Sequence, residues 1–475
     1  MKFIDLKTYC NKMLIDVHQM RNIGELINYI SISFMSRIAF FMLILWSLTP
    51  VIVLLFGWFL PASNSSSQSL RQIFLYDEWF VLLIRIGIIG CFMSIILFGK
   101  SLLIAKENGI SIKQYIRIHS LPVFFALLLL CGFISTIISN NFVLSFFGDS
   151  YRKEGFVTYL AYAGIFTFGI LINNATKIRS LVITMVIVSL VLTVYSLYKW
   201  ISIPAWAVAI RPASVFNNIN HYGYYLCIAV ILSLFIFIKE SLHYNCSWAW
   251  IIVFSSLVAT LILNTSLGPY IAVAFGLLIS LIFVSLLKLK NLRWRVLIAI
   301  SIFIALTIAI NHKTGFLSRD LKMLTNDVSK ILIDSSNADQ AGSNRWGLWR
   351  KGIIFALMKP WFGHGPENLR HLYQQYGPMN IDRPHNELIQ IAASLGFPAL
   401  LFYVSGLLIH MINFFKHWKY IDLLGIGIFI SIATYLISSF LGNSMYYTTP
   451  FYFMLLGISY GLLHNQNNLN KGDVY

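Results

Sequence analysis

The sequence predicts an all-α, polytopic membrane protein with about 12 transmembrane helices and a large extracytoplasmic loop. Of its 475 residues, 58% are hydrophobic and only 11% are charged. A soluble domain has nowhere to bury so much apolar surface, so the solvent for most of this chain must be a bilayer. Long apolar runs make the same point locally, because roughly 20 helical residues cross a hydrocarbon core of about 30 Å. The placement of Lys and Arg then supplies the orientation.

In chain order, residues 1–36 read as a mixed amphipathic segment on the cytoplasmic side. Nine spans are expected within 37–310, at 37–60, 79–99, 121–139, 156–173, 180–200, 221–238, 248–265, 269–287 and 295–310. The loop 311–383 follows. A short helix and three further spans, 397–415, 422–441 and 446–464, occupy 384–465, and 466–475 form a polar cytoplasmic tail. The first span does not read as a cleavable signal, because it is long, lies behind the 1–36 segment and lacks a small-residue cleavage site.

Lys2, Lys7, Lys12, Arg21, Lys100, Lys106, Lys113, Arg117, Lys288, Lys290, Arg293 and Arg295 all fall on the side shared by the termini. The short loops opposite hold Arg71, Arg152, Lys153, Lys199 and Arg211. Positively charged short loops resist translocation, which puts both termini in the cytoplasm and 311–383 outside a plasma or inner membrane. The net charge of +17 is therefore topology and gives no reason to propose nucleic acid as a partner. Cys91, Cys131 and Cys227 fall in spans and Cys10 and Cys246 on the inner side, so the outer loops offer no pair for a disulfide or a metal.

No Asp or Glu interrupts the expected spans, Asp422 standing only at the edge of one, and Arg85 is their one clear basic residue; it is assigned no role. Ion-coupled carriers use charges inside the membrane, so this pattern argues against one. The outer loops are richer. Ser343-Asn344 precedes a helical run from Arg345 to about Met358, with Trp346, Trp349, Ile353 and Leu357 at helical spacing, ended by Lys359-Pro360 and the glycines at 363 and 365. Such a helix suits the membrane interface, although an ordinary amphipathic surface helix has the same pattern. A second helix is expected to open at Asp382-Arg383-Pro384-His385-Asn386-Glu387, with the proline in its first turn and Asp382 or the backbone supplying the cap. On it, Glu387, Gln390 and Ser394 recur on one side, as the wall of a polar cavity or as a solvent-facing stripe.

Five histidines fall outside: His221, His312, His364, His371 and His385. No pair has the spacing of a helical metal site. His385 stands apart because a helix N-terminus favours neutral imidazole and also attracts anions, which is what a general base beside a phosphate needs. Arg152-Lys153, Arg211 and Arg345 all lie near expected outer helix ends. Their charges suit an anionic headgroup, and guanidinium forks match phosphate oxygens in pairs.

The blocks Arg211-Pro-Ala-Ser-Val-Phe-Asn-Asn-Ile-Asn220, Asn344-Arg345-Trp346-Gly-Leu-Trp349, Trp361-Phe-Gly-His-Gly365 and His385-Asn386-Glu-Leu-Ile with Gly396 resemble, in this order, the O-antigen ligase and polymerase superfamily. The resemblance covers roughly 140–465. It implies a fold like that of the C-type glycosyltransferases and an inverting glycosyl transfer at the outer face, with no metal and no other cofactor. The implied donor is an undecaprenyl-pyrophosphate-linked glycan, and the acceptor is a glycan, a lipid or a protein. Family arginines that engage the pyrophosphate map onto Arg211 and Arg345, and the family histidine maps onto His385 as base or acceptor-positioning group. Arg152 and Lys153 resemble a basic motif of some members, and Asn386 and Trp349 complete the expected substrate-binding set. Thr265-Ser266-Leu267-Gly268-Pro269 departs from the family, where many members have Ser-Arg-Gly. Two other functions compete: a flippase or exporter of lipid-linked glycans, and a metal-dependent C-type transferase using Asp77 and Glu78.

Overall fold

The structure is a computed structural model that describes residues 23–59, 65–202, 212–216, 218–240, 248–287, 290–332, 339, 341–342, 344–376 and 381–469. Residues 1–22, the tail from 470, Cys10, Cys246, Lys288 and Arg211 lie outside the described residues.

Helices account for almost all of it, and no strand occurs among the described residues. In chain order they are α1 (Ile23–Tyr29), α2 (Ile32–Phe59), α3 (Ser65–Glu107), α4 (Ile112–Ile118), α5 (Ser120–Ile137), α6 (Phe142–Phe147), α7 (Phe156–Leu171), α8 (Ala175–Ser202), α9 (Ile219–Glu240) and α10 (Trp248–Asn264). There follow α11 (Leu267–Leu286), α12 (Lys290–Thr314), α13 (Phe316–Leu332), α14 (Arg345–Met358), α15 (Leu369–Tyr376), α16 (Glu387–Leu395), α17 (Phe397–His417), α18 (Leu423–Ser439) and α19 (Thr449–Leu469). Each apolar segment picked out in the sequence lies on a helix. Eight helices among the described residues are long and apolar enough to cross a membrane, and α7, α10 and α18 are shorter apolar helices.

Helix α9 is apolar on every side after its first turn, and it is enclosed on every side, packed against α8, α10, α11 and α18. Helix α7 is held tightly between α3 and α19 because small residues let backbones touch. A Cβ on Gly90 would stand 2.4 Å from the Gly164 carbonyl oxygen, and one on Gly169 2.4 Å from that of Met454.

The segment 311–383 is more ordered than a loop: α13, α14 and α15 lie within it, and only α14 carried a visible sequence signal. That signal is accurate, since α14 begins at Arg345 and ends at Met358. Trp346, Ile353 and Leu357 lie exposed on it. The expected helix start at 382–384 is corrected. Asn386 is the N-cap, its Oδ1 accepting from the Ile389 amide at 3.1 Å, and α16 begins at Glu387. Pro384 and His385 precede the helix, and Asp382 is occupied by an ion pair instead of a cap. The Glu387–Gln390–Ser394 stripe faces inward. All three side chains are buried, with Gln390 Nε2 donating to Ser394 Oγ at 2.9 Å and the Tyr403 hydroxyl donating to Glu387 at 3.2 Å.

Candidate active site

Segments far apart in sequence meet at one end of the bundle. The Tyr76 hydroxyl donates to the Val215 carbonyl at 3.0 Å and the Tyr446 hydroxyl to the Tyr76 carbonyl at 3.3 Å, while Lys153 pairs with Asp77. The segment 382–386 lies among them.

His385 has φ +53°, a left-handed conformation that costs energy for any residue with a Cβ. Its neighbours hold it there. Asn386 caps α16 with one side of its amide and donates to the Phe440 carbonyl with the other, at 3.0 Å. Arg383 is buried and paired with Glu367, and its Nη1 donates to the Ser444 carbonyl at 3.3 Å. Glu367 in turn accepts from the Glu154 amide at 3.2 Å. Burial pushes the Glu154 carboxyl up against the pull of Arg383.

The imidazole meets Asn443, with the side-chain nitrogen of Asn443 3.1 Å from Nδ1. In that orientation Asn443 Oδ1 is buried with no hydrogen-bond partner among the described residues. Turning the amide over pairs this oxygen with an Nδ1–H and leaves Nε2 bare, which is the tautomer a base requires. Burial, and after it the guanidinium groups of Arg152 and Arg345, hold the His385 pKa down to about 4. The ring is therefore neutral at neutral pH.

Arg345 opens α14 beside this ring. The helical repeat puts Arg345, Trp349 and Gly352 on one face, and Gly352 is where α14 meets α16. A Cβ there would stand 2.6 Å from Ile389 Cγ2 and 3.2 Å from Pro384 Cβ, so the missing side chain sets how closely Arg345 approaches the His385 loop. Arg345 makes no ion pair among those found in the described residues, and Trp349 Nε1 is a buried donor with no hydrogen-bond partner there.

Other expected cations are spoken for. Arg152 grips Asp382 with two bonds, Nε to Oδ2 at 2.7 Å and Nη2 to Oδ1 at 3.0 Å, and Arg152 holds the Asp382 carboxyl below its ordinary range despite burial. Lys153 is neutralised by Asp77. Among the described residues no group of three His, Cys, Asp or Glu side chains is placed to hold a metal.

Two sequence blocks turn out to be scaffold. In Trp361–Gly365, the His364 and Gly365 amides donate to the Ala393 and Ser394 carbonyls at 3.0 and 2.9 Å, and His364 Nε2 lies 2.9 Å from the Phe355 carbonyl oxygen. The Thr265–Pro269 turn holds the loop before α9. Asn264 Nδ2 donates to the carbonyls of Pro212 and Ile219 at 2.6 and 3.0 Å, and Ser266 donates to Asn220 at 2.8 Å.

Sequence reasoning missed Asn443, because a short Gly-Asn-Ser link between apolar helices reads as a turn. It also left His221 among the ambiguous histidines. That ring is buried at the start of α9, edge-on to Tyr447 and Tyr224, with Nδ1 unpartnered among the described residues.

Residues 250–404 match the family model for O-Antigen ligase. The match includes Arg345, Trp349, His385 and Asn386. No curated protein matches the chain.

Proposed function

The chain belongs to the O-antigen ligase and polymerase superfamily, and from that premise we propose inverting glycosyl transfer from an undecaprenyl-pyrophosphate-linked glycan, at the outer membrane face. The observation that carries this reading is a neutral His385, fixed by Asn443, beside an Arg345 that makes no ion pair among those found in the described residues.

In this reading the acceptor hydroxyl attacks the anomeric carbon from the side opposite the pyrophosphate. The new C–O bond forms as the bond to the leaving oxygen breaks, the electron pair goes to the pyrophosphate, and the hydroxyl proton goes to His385 Nε2. Charge grows on the leaving group, so a fixed guanidinium stabilises the transition state more than the ground state. Arg345 fills that role. Arg211 shares it by resemblance, and the Trp349 indole N–H is a further donor toward the substrate. Asn386 acts by holding the His385 loop. The proposed topology has both termini in the cytoplasm, 37–310 as the first membrane domain, 311–383 outside, and 384–465 returning through the membrane.

The test measures product from lipid-linked donor in membranes carrying equal amounts of folded protein. His385→Ala should lose on the order of 10² to 10⁴-fold in rate. Arg345→Lys should lose nearly as much as Arg345→Ala, because it keeps a charge without the planar fork. Near-normal product from both His385→Ala and Arg345→Ala would refute the site. Activity of purified protein should also survive a chelator; a loss that magnesium or manganese restores would move the case to a metal-dependent transfer using Asp77 and Glu78.

A further inference from the structure

Beside the His385 loop lies a cavity of about 230 Å³ lined by Asp149, Tyr151, Arg152, Arg370 and Asp382. Arg370, outside every sequence block singled out above, is brought there by α15, and its Nη1 donates to Asp149 Oδ2 at 3.0 Å. Two guanidinium–carboxylate pairs therefore line one space, Arg152 with Asp382 and Arg370 with Asp149. The walls carry equal charges of each sign, which removes the excess positive charge that a phosphate site uses. Each guanidinium has N–H groups beyond those given to its carboxylate, and Asp382 fixes the plane of the Arg152 guanidinium through two bonds. Planar donors and acceptors at fixed spacing suit adjacent hydroxyl groups. Tyr151 adds an aromatic face: the residue is 46% exposed, and the Arg152 guanidinium carbon lies 5.2 Å from the ring centroid. At ~30 Å³ for each liquid water, the space holds roughly eight waters, about what one sugar ring with its hydroxyls displaces.

We propose that this cavity binds one neutral, hydroxyl-rich sugar, the terminal residue of a glycan acceptor, and presents its hydroxyl to His385. The assignment to the acceptor rests on the transfer reading above. It follows from adjacency, since Asp382 stands three residues before His385 and the Arg152 charge acts on that imidazole. Arg152 then serves sugar recognition, while the pyrophosphate falls to Arg345.

The test separates binding from turnover. Methyl glycosides of neutral hexoses, methyl glucuronide and inorganic pyrophosphate are offered in turn to the purified full chain; saturation-transfer NMR reads binding of the glycosides, and phosphorus-31 line broadening reads binding of pyrophosphate, which has no C–H protons. Neutral glycosides should bind the wild type. Tyr151→Ala, Arg370→Gln and Asp149→Asn should each weaken that binding at least fivefold, Tyr151→Phe should restore it, and pyrophosphate binding should not change. With lipid-linked donor, Tyr151→Ala should raise the acceptor KM about tenfold and leave kcat within twofold, with His371→Ala as the neutral control. No neutral-glycoside binding, a preference for glucuronide, loss of pyrophosphate binding in these variants, or an unchanged acceptor KM would each overturn the proposal. A wild type that binds neutral glycosides at this cavity but makes no product refutes glycosyl transfer, and with it the acceptor role.

Discussion

Helix α16 has a histidine on each side, a buried His364 packed against its end and a half-buried His385 just before its start, and the two have opposite surroundings. His364 reaches a backbone carbonyl, and its own amide is tied to the helix end. His385 meets a side-chain amide and two arginine charges, on a strained backbone. Both belong to blocks that look equally motif-like in the sequence. What separates them is where their hydrogen bonds go: a histidine bound to the backbone holds the fold, and one held by a side chain with a nitrogen to spare is available for chemistry.

The comparison is sharpest at the scaffold side. Gly363 has φ +63°, and a Cβ there would stand 2.4 Å from the Ser394 carbonyl carbon. Gly363→Ala should cost roughly 2–6 kcal/mol from left-handed strain and overpacking, seen as a fall in folded protein, with normal activity in whatever folds. A folded but inactive Gly363→Ala protein would break the distinction.

On the chemical side, Asn443→Ala should keep the thermal midpoint near wild type and lower turnover. A lost hydrogen bond of about 1–3 kcal/mol corresponds to roughly 5- to 160-fold in rate. Asn443→Asp should keep activity, because its carboxylate still accepts from Nδ1–H, and should move the lower limb of the pH–rate profile upward as the imidazolium is favoured. Loss in Asn443→Asp equal to that in Asn443→Ala would mean that Asn443 donates and His385 positions the acceptor through Nε2–H.

The smallest effect concerns stability. Burial raises the Glu387 carboxyl to about 7, against an unfolded value of about 4.3. Between those values the unfolded chain gives up its proton while the folded chain keeps it, so wild-type stability falls as pH rises through that window. Glu387→Gln does not titrate and still accepts from Tyr403. Its thermal midpoint should exceed that of the wild type at pH 8 and converge with it below about pH 4, and a constant difference across this range would contradict the burial argument.

The sequence carried the fold well where the signal was apolar length, and α14 to the residue, because Asn344 and Lys359-Pro360 bracket an unbroken helical repeat. It misplaced the start of α16, since Asp382 and Pro384 both look like helix-start residues. The ion pair between Arg152 and Asp382, 230 residues apart, has no local trace and overrides that preference. For the same reason α13 and α15 went unseen: their sequences are polar enough to pass for loop. His385 and Arg345 were singled out through chemistry and resemblance together. Asn443 and Arg370 acquire meaning only from what the fold sets beside them.

The tie between His385 and Asn443 also bears on biosynthesis. A chain is made from its N-terminus, so the imidazole is synthesised 58 residues before the amide that orients it. Asn443 follows α18, so the pair forms only after that helix has been threaded into place. Until then the imidazole of a nascent chain is undirected, and under the proposed mechanism such a chain does not consume lipid carrier. Completion of the catalyst is thereby coupled to near-completion of its own insertion.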